Sequence, residues 1–276
     1  MSSTNYEPWN LAKGVEGFVW RAPYPRAQVL LQHGLGEYSE RYVSQYSQLV
    51  PKLNSMGLDV YAFDLPGHGR SEGSRGLIDL QVAVDLHLKA REAIVSNKLP
   101  TVLYGHSLGG LITAGSVVRS SANIVGAVIG SSAMHQPSKG WERVLGKVMG
   151  SVAPNAPIPL PRPGLEALSR DPEIIRLAAS DPMFYQGKAK NLVAKTVLEI
   201  SDEVWGKVAQ WKVPTLIMHG DKDTSTDHLA AIALHESIAA VDKELKLYPG
   251  AYHELLNDLV AAQALQDLTG WIQARV

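Results

Sequence analysis

Thr101-Val102-Leu103-Tyr104-Gly105-His106-Ser107-Leu108-Gly109-Gly110-Leu111-Ile112 is the stretch that decides the fold. Four residues with strand character lead into Gly-x-Ser-x-Gly. Leu108, Leu111, Ile112, Gly115 and Val118 then fall at helical spacing. The order is strand, sharp turn, helix. A serine on such a turn is held in a strained backbone conformation, and its hydroxyl is pushed into the open. Glycines on both sides let neighbouring backbones come close. The helix that follows points its positive end at the same place, which favours a developing negative charge. The five-residue motif alone arises by chance, and its place between strand and helix is what makes Ser107 the candidate nucleophile.

Outward from this turn, short apolar runs alternate with longer amphipathic ones, the pattern of a parallel sheet covered by helices. The predicted strands are Val29–Gln32, Leu58–Phe63, Thr101–Tyr104, Ile124–Ile129, Thr215–His219 and Glu244–Tyr248. Helices are expected over Ser39–Ser55, Asp79–Asn97 and the segment carrying Leu256, Val260, Ala264, Leu268 and Ile272. Gly14 to Arg21 suggests an N-terminal hairpin. The rhythm breaks between Ala133 and Trp211, where no core strand is evident. Five prolines between Pro154 and Pro163 forbid a regular helix there. Asp171-Pro172 and Asp181-Pro182 read as helix starts, with Asp at the cap and Pro in the first turn. The expected organisation is a core of residues 1–132 and 212–276, with a mostly helical insertion over 133–211 that is too long for a plain loop.

A serine hydroxyl needs a base, and the base needs a carboxylate to hold its tautomer. After a serine turn of this kind the acid and then the histidine follow in chain order. Both are sought just beyond strand ends, which converge on one site. Thr215–His219 is followed by Gly220-Asp221-Lys222-Asp223, which makes Asp223 the candidate acid, with Asp221 and Asp227 as alternatives. Glu244–Tyr248 is followed by Pro249-Gly250-Ala251-Tyr252-His253, which makes His253 the candidate base. Two backbone N–H groups must face the charged oxygen of a tetrahedral intermediate. Leu108, next to the serine, supplies one. Leu35, in the His33-Gly34-Leu35-Gly36 loop after Val29–Gln32, is the candidate for the other. The remaining histidines have blander readings. His228 and His235 sit on a surface helix, His87 in the core, and His33, His68 and His106 in glycine-rich turns.

Composition narrows the function. The 276 residues carry 26 Lys and Arg against 27 Asp and Glu, a net charge of −1, which argues against a nucleic-acid partner. Cysteine is absent, so no disulfide or thiolate metal site is expected. No His-Glu-x-x-His pattern occurs, so neither metal nor cofactor is expected. Met1 to Asn10 is polar, without the apolar core of a signal peptide, and no apolar run is long enough to span a bilayer. A cytoplasmic protein is expected, with transient contact at a membrane surface open to it. Gly67-His68-Gly69 does not continue as a dinucleotide fingerprint.

At this point the sequence resembles the monoacylglycerol lipase and lysophospholipase branch of the α/β-hydrolases, over nearly the whole chain. The most telling motif is His33-Gly34-Leu35-Gly36-Glu37-Tyr38-Ser39-Glu40-Arg41-Tyr42. Asp64-Leu65-Pro66-Gly67-His68-Gly69-Arg70-Ser71-Glu72-Gly73, Gly105-His106-Ser107-Leu108-Gly109-Gly110, and the pair Gly220-Asp221-Lys222-Asp223 with Tyr252-His253-Glu254-Leu255 are shared more widely. The resemblance implies a mostly parallel eight-stranded sheet, a helical cap over the site, and hydrolysis of lipid monoesters without a cofactor. It also suggests that Glu37 and Arg41 pair near the oxyanion loop and meet a glycerol headgroup. A salt bridge that merely fixes the loop is the alternative. A lysophospholipase, a short-chain carboxylesterase, a peptidase of the same fold and a non-catalytic ligand-binding protein are the rival functions.

Trp141, Val144, Leu145, Val148, Met149 and Val152 make one apolar stripe on a helix of the insertion. Packing on the core, a wall for the acyl chain and a surface dipping into lipid all fit such a stripe. The expectation pursued is that the helix, through Val148, faces the substrate.

Overall fold

In the computed structural model, which describes residues 5–136, 140–159 and 163–276, the apolar runs form an eight-stranded sheet. Its strands are β1 (Glu7–Pro8), β2 (Gly17–Trp20), β3 (Ala27–Gln32), β4 (Leu58–Phe63), β5 (Thr101–His106), β6 (Gly126–Gly130), β7 (Thr215–Gly220) and β8 (Lys243–Tyr248). They lie in the order β1-β2-β4-β3-β5-β6-β7-β8. β2 runs antiparallel to β1 and β4, and every other pairing is parallel. An N-terminal hairpin is present, but its first strand is Glu7–Pro8, before the Gly14–Arg21 span expected for it. Met1 to Thr4, part of the polar N-terminal stretch, lie outside the described residues.

Alternation along the strands builds two cores, one on each face. Leu30, Tyr61, Phe63, Leu103, Ile129 and Ile217 point into one. Val29, Leu31, Val60, Val102, Val128 and Leu216 point into the other. Both faces need covering, as expected of a parallel sheet. Helices α1 (Arg41–Ser44), α2 (Leu49–Ser55), α3 (Leu80–Val95) and α4 (Leu108–Arg119) follow β3 to β5. Then come α5 (Gly140–Val152), α6 (Pro172–Ser180), α7 (Asn191–Lys207), α8 (His228–Ser237) and α9 (Ala261–Gln273). Asp79 caps α3 by accepting from the Gln81 N–H, and Asp171 caps α6 by accepting from Glu173.

Two helix expectations are corrected. Ser39–Ser55 is not one helix, because Tyr46, Ser47 and Gln48 all adopt positive φ between α1 and α2. Tertiary contacts override local preference there. The Tyr46 N–H donates to Asn257 Oδ1, and Ser47 Oγ donates to the Leu256 carbonyl. Asp181-Pro182 starts no helix. Asp181 accepts from the Met183 N–H and from the Tyr38 hydroxyl, and the turn carries the Tyr185 N–H onto the Gly36 carbonyl at 2.8 Å.

Between β6 and β7 the described residues add no strand to the sheet. Pro157 makes only an isolated bridge with Lys190, and no helix forms over the described part of the proline run, of which Pro161 lies outside the described residues. The far end of this segment is not a separate layer. Val193, Val197, Ile200 and Val204 of α7 belong to the same core as β3 to β7.

α5 packs against α7 with its small side. A Cβ on Gly146 would touch Leu198, and one on Gly150 would collide with Lys195. The apolar stripe points the other way. Trp141, Val144 and Val152 are 65%, 63% and 79% exposed.

Candidate active site

Ser107 sits between β5 and α4 with φ 57° and ψ −119°, outside the conformations ordinary L-residues prefer. The surroundings impose this strain. The Ser107 N–H donates to the Gly130 carbonyl at 2.9 Å, and its own carbonyl accepts from Gly110 and Ala133. The helix can approach so closely because Gly109 has no side chain, and a Cβ there would collide with the Gln32 carbonyl at the end of β3. β3 and β5 are neighbours at the point where strand order reverses, which is where open α/β sheets form their crevice. The loop after β3 and the turn after β5 therefore meet.

The loops after β7 and β8 complete the site. Lys222 N–H donates to Ala251, and Asp221 binds the Gly250 N–H, so the two loops are tied together. This occupies Asp221, one alternative acid. Asp227, the other, caps α8 through the Leu229 N–H. Asp223 is the carboxylate that reaches His253, at 2.7 Å from Nδ1. His253 Nε2 lies 2.9 Å from Ser107 Oγ. A proton on Nδ1 is the one neutral arrangement that serves both bonds. The chain Asp223–His253–Ser107 is thus continuous, with Ser107 9% and His253 5% exposed.

Charge follows from this packing. Burial works against the Asp223 carboxylate, but the His253 imidazole and hydrogen bonds from His219, His253 and Thr226 hold it well below the usual carboxylate range. Burial works against a charged His253, yet Asp223, Glu254 and Glu37 together raise it above an ordinary histidine. His106, beside it at 4.9 Å between ring centroids, is pushed down to about 3 by burial and by His253, so it stays neutral.

A cavity of about 970 Å³ opens over Ser107. Leu35 and Leu108 line it, and neither backbone N–H is taken up by a turn or cap hydrogen bond among the described residues. Leu165, Leu168, Phe184, Val193, Val197 and Leu198 give it an apolar wall. Glu37 also lines it. Its Oε2 accepts from Tyr46 at 2.7 Å and faces Arg41 at 3.2 Å, while Oε1 stands 3.6 Å from His106 Nε2.

Two expected substrate contacts are corrected. Arg41 is not part of the lining. It is 1% exposed, pinned between Glu37 and Glu254 beneath the Phe184 ring. Val148 is not part of it either, because it is 51% exposed on the outer side of α5. Sequence reasoning passed over His219, Thr226 and Glu254. Thr226 donates to Asp223, and Glu254 holds Arg41 through two hydrogen bonds. Their position within two or three residues of Asp223 and His253 was the available signal for Thr226 and Glu254. His219 ends β7 and reads as one more strand residue. Among the described residues, no group of three or more His, Asp or Glu is arranged to hold a metal ion.

A family profile described as serine aminopeptidase, S33, matches residues 23–260. The monoacylglycerol lipase of Mycolicibacterium smegmatis is 34% identical over 90% of this chain and 88% of its own. The monoglyceride lipase of Rattus norvegicus is 30% identical over 91% and 84%. The chain belongs to the α/β-hydrolases, in the monoacylglycerol lipase-like branch. It is a carboxylic ester hydrolase. The solved monoacylglycerol lipase of Paleococcus ferrophilus superposes on the hydrolase with a TM-score of 0.82 at 27% identity, covering 98% of this chain and all of that one. No helix of the hydrolase among its described residues is long and apolar enough to cross a membrane.

Proposed function

We propose that the hydrolase cleaves monoacylglycerols to fatty acid and glycerol through an acyl-enzyme on Ser107. The observation that carries the reading is the Asp223–His253–Ser107 chain at the floor of a cavity with a long apolar wall. Ser107 Oγ attacks the ester carbonyl while His253 Nε2 takes its proton. The Leu35 and Leu108 N–H groups receive the oxyanion, helped by the positive end of α4. The carbonyl re-forms and the alcohol leaves with the proton from His253. Water then attacks the acyl-enzyme with the roles reversed. Asp223 stays ionised and holds the imidazole.

The acyl chain lies along Leu165, Phe184, Val193 and Val197, and Glu37 meets the glycerol. Residues 133–211 act as the cap over this cavity. The outward stripe of α5 rests on the lipid surface that supplies the substrate, since an exposed apolar face on an amphipathic helix suits the interface of a membrane.

Fatty-acid release from monoacylglycerols of several chain lengths, from lysophosphatidylcholine and from a short nitrophenyl ester, beside Ser107→Ala, tests the reading. Preferred cleavage of monoacylglycerols, abolished in the variant, is the expected result. Preference for lysophosphatidylcholine moves the assignment to lysophospholipase. Turnover of the short ester alone keeps the mechanism and removes the lipase. Serine-dependent cleavage of peptide amides instead would favour the peptidase named in the family description.

A further inference from the structure

The acid of the site is gripped by more than the base it serves. Asp223 Oδ1 accepts from the Ser225 and Thr226 N–H groups at 2.7 and 3.0 Å. Oδ2 accepts from His253 Nδ1 at 2.7 Å and from Thr226 Oγ1 at 2.6 Å, and His219 Nε2 stands 3.1 Å from it. Two imidazoles therefore share one carboxylate oxygen. His219 is the last side chain of β7 before Gly220, and it is 1% exposed. Among the described residues its Nδ1 is buried with no hydrogen-bond partner, whereas Nε2 has two oxygens within 3.1 Å, Asp223 Oδ2 and Thr226 Oγ1. A proton on Nδ1 would be stranded, and the Nε2 lone pair would then face a carboxylate. A ring with a single proton therefore places it on Nε2.

We propose that His219 is a positioning residue for ester hydrolysis: its Nε2–H holds the Asp223 carboxylate in place and draws off part of its charge from His253. The inference rests on Asp223 and His253 being acid and base. A neutral donor on Oδ2 does two things. It fixes the oxygen that orients His253. It also places the positive end of a dipole beside the carboxylate, so the imidazolium of His253 gains less from Asp223 than it would from an unshared oxygen. The base thus titrates lower, nearer the pH at which it must work.

Other groups act on the same base. Ser107, His106, Glu254 and Glu37 face His253, Arg41 stands behind the two glutamates, and His228 of α8 lies 6.5 Å from His219 between ring centroids. None of them donates to Asp223 Oδ2. His219 and Thr226 alone share that atom with His253 among the described residues.

The test compares His219→Leu, which keeps bulk without a donor, with His219→Gln, whose amide can donate from near the Nε2 position. Hydrolysis of a short soluble ester is followed from pH 5 to 9, with Asp223→Asn alongside. In His219→Leu the acidic limb of kcat/KM is expected to move up by about half a pH unit. kcat should fall roughly tenfold with KM within twofold, and His219→Gln should recover most of both. A folded His219→Leu enzyme whose pH profile overlays the wild type overturns the proposal. So does equal damage from Gln and Leu, which a merely structural role would give. Nitrogen-15 histidine spectra of the wild-type protein provide a second reading that needs no folded Leu variant. His219, assigned by its loss in His219→Gln, is expected as the neutral Nε2–H form, and a proton on Nδ1 overturns the proposal. Undiminished hydrolysis by Asp223→Asn would instead overturn the reading of the acid, and this proposal with it.

Discussion

Glu37 and Glu254 face one guanidinium, with Arg41 Nη1 3.2 Å from Glu37 Oε2 and 3.0 Å from Glu254 Oε1. All three side chains are withdrawn from solvent. Removing the cation leaves two buried carboxylates without it, and breaking buried pairs of this kind costs about 3–5 kcal/mol. Arg41→Met is expected to lower stability by about that amount in urea denaturation. A neutral or stabilising result would mean that the carboxyls take up protons and adapt.

The two carboxyls titrate in opposite directions. Burial pushes Glu37 up to about 7 against the pull of Arg41, with Glu254 adding to the rise. Burial also opposes Glu254, but Arg41, with help from the Asn257 amide, holds it below its ordinary value. A carboxyl raised in the folded state contributes stability below its unfolded pKa of about 4.3 and loses it as pH rises to about 7. Glu37→Gln removes this loss. The urea midpoint of the variant relative to the wild type should therefore improve between pH 5 and pH 8. Parallel midpoints across that range would show that Glu37 is ionised throughout.

In the proposed mechanism His253 must be neutral to take a proton from Ser107. Asp223, Glu254 and Glu37 overcome burial and raise its pKa. Activity on a short ester should then fall as pH drops, with half-activity above the ordinary histidine value of about 6.5. Running Glu37→Gln in parallel separates this limb from titration of Glu37. A midpoint below 6.5 in both enzymes would contradict the charge balance described for the site.

Ala194 lines the cavity on α7, beside Val193, Val197 and Leu198. Ala194→Phe should fill part of the apolar wall. kcat/KM for long-chain monoacylglycerols is expected to drop about tenfold or more, since overpacking a filled pocket costs about 1–3 kcal/mol. The short nitrophenyl ester should be hydrolysed within about twofold of the wild-type rate. Equal loss on both would place the acyl chain elsewhere or indicate misfolding.

Val148 is half exposed on α5, away from the cavity. Val148→Asp should leave turnover of a soluble ester unchanged and weaken binding to lipid vesicles in sedimentation. A charge on the face that meets the lipid surface opposes its burial there. Unaltered vesicle binding would remove α5 from the lipid contact.

Much of this was legible in the chain. The strands before Ser107 and Asp223 are short apolar runs flanked by breakers, the strand before His253 alternates Leu245 and Leu247 with charged residues, and their ends point to one place whatever the side-chain detail. The break at Tyr46 to Gln48 was not legible, because its cause is Asn257 and Leu256, more than 200 residues away. The orientation of α5 was hidden for a different reason. Periodicity shows that a helix has an apolar side and is silent on which side packs, and here Gly146 and Gly150 do. Arg41 read as a contact for substrate because its motif adjoins the oxyanion loop. Glu254 lies far along the chain and claims that guanidinium instead.

The strand order has a last consequence. Ser107 follows β5, while Asp223 and His253 follow β7 and β8, so everything before the excursion after β6 carries the hydroxyl and everything beyond it carries the proposed base and acid. A polypeptide severed within that excursion would yield two halves, each chemically mute. Pairing of β7 onto β6 is the strand contact that brings them into register. Turnover regained on mixing such halves would then serve as a clock for closure of the sheet.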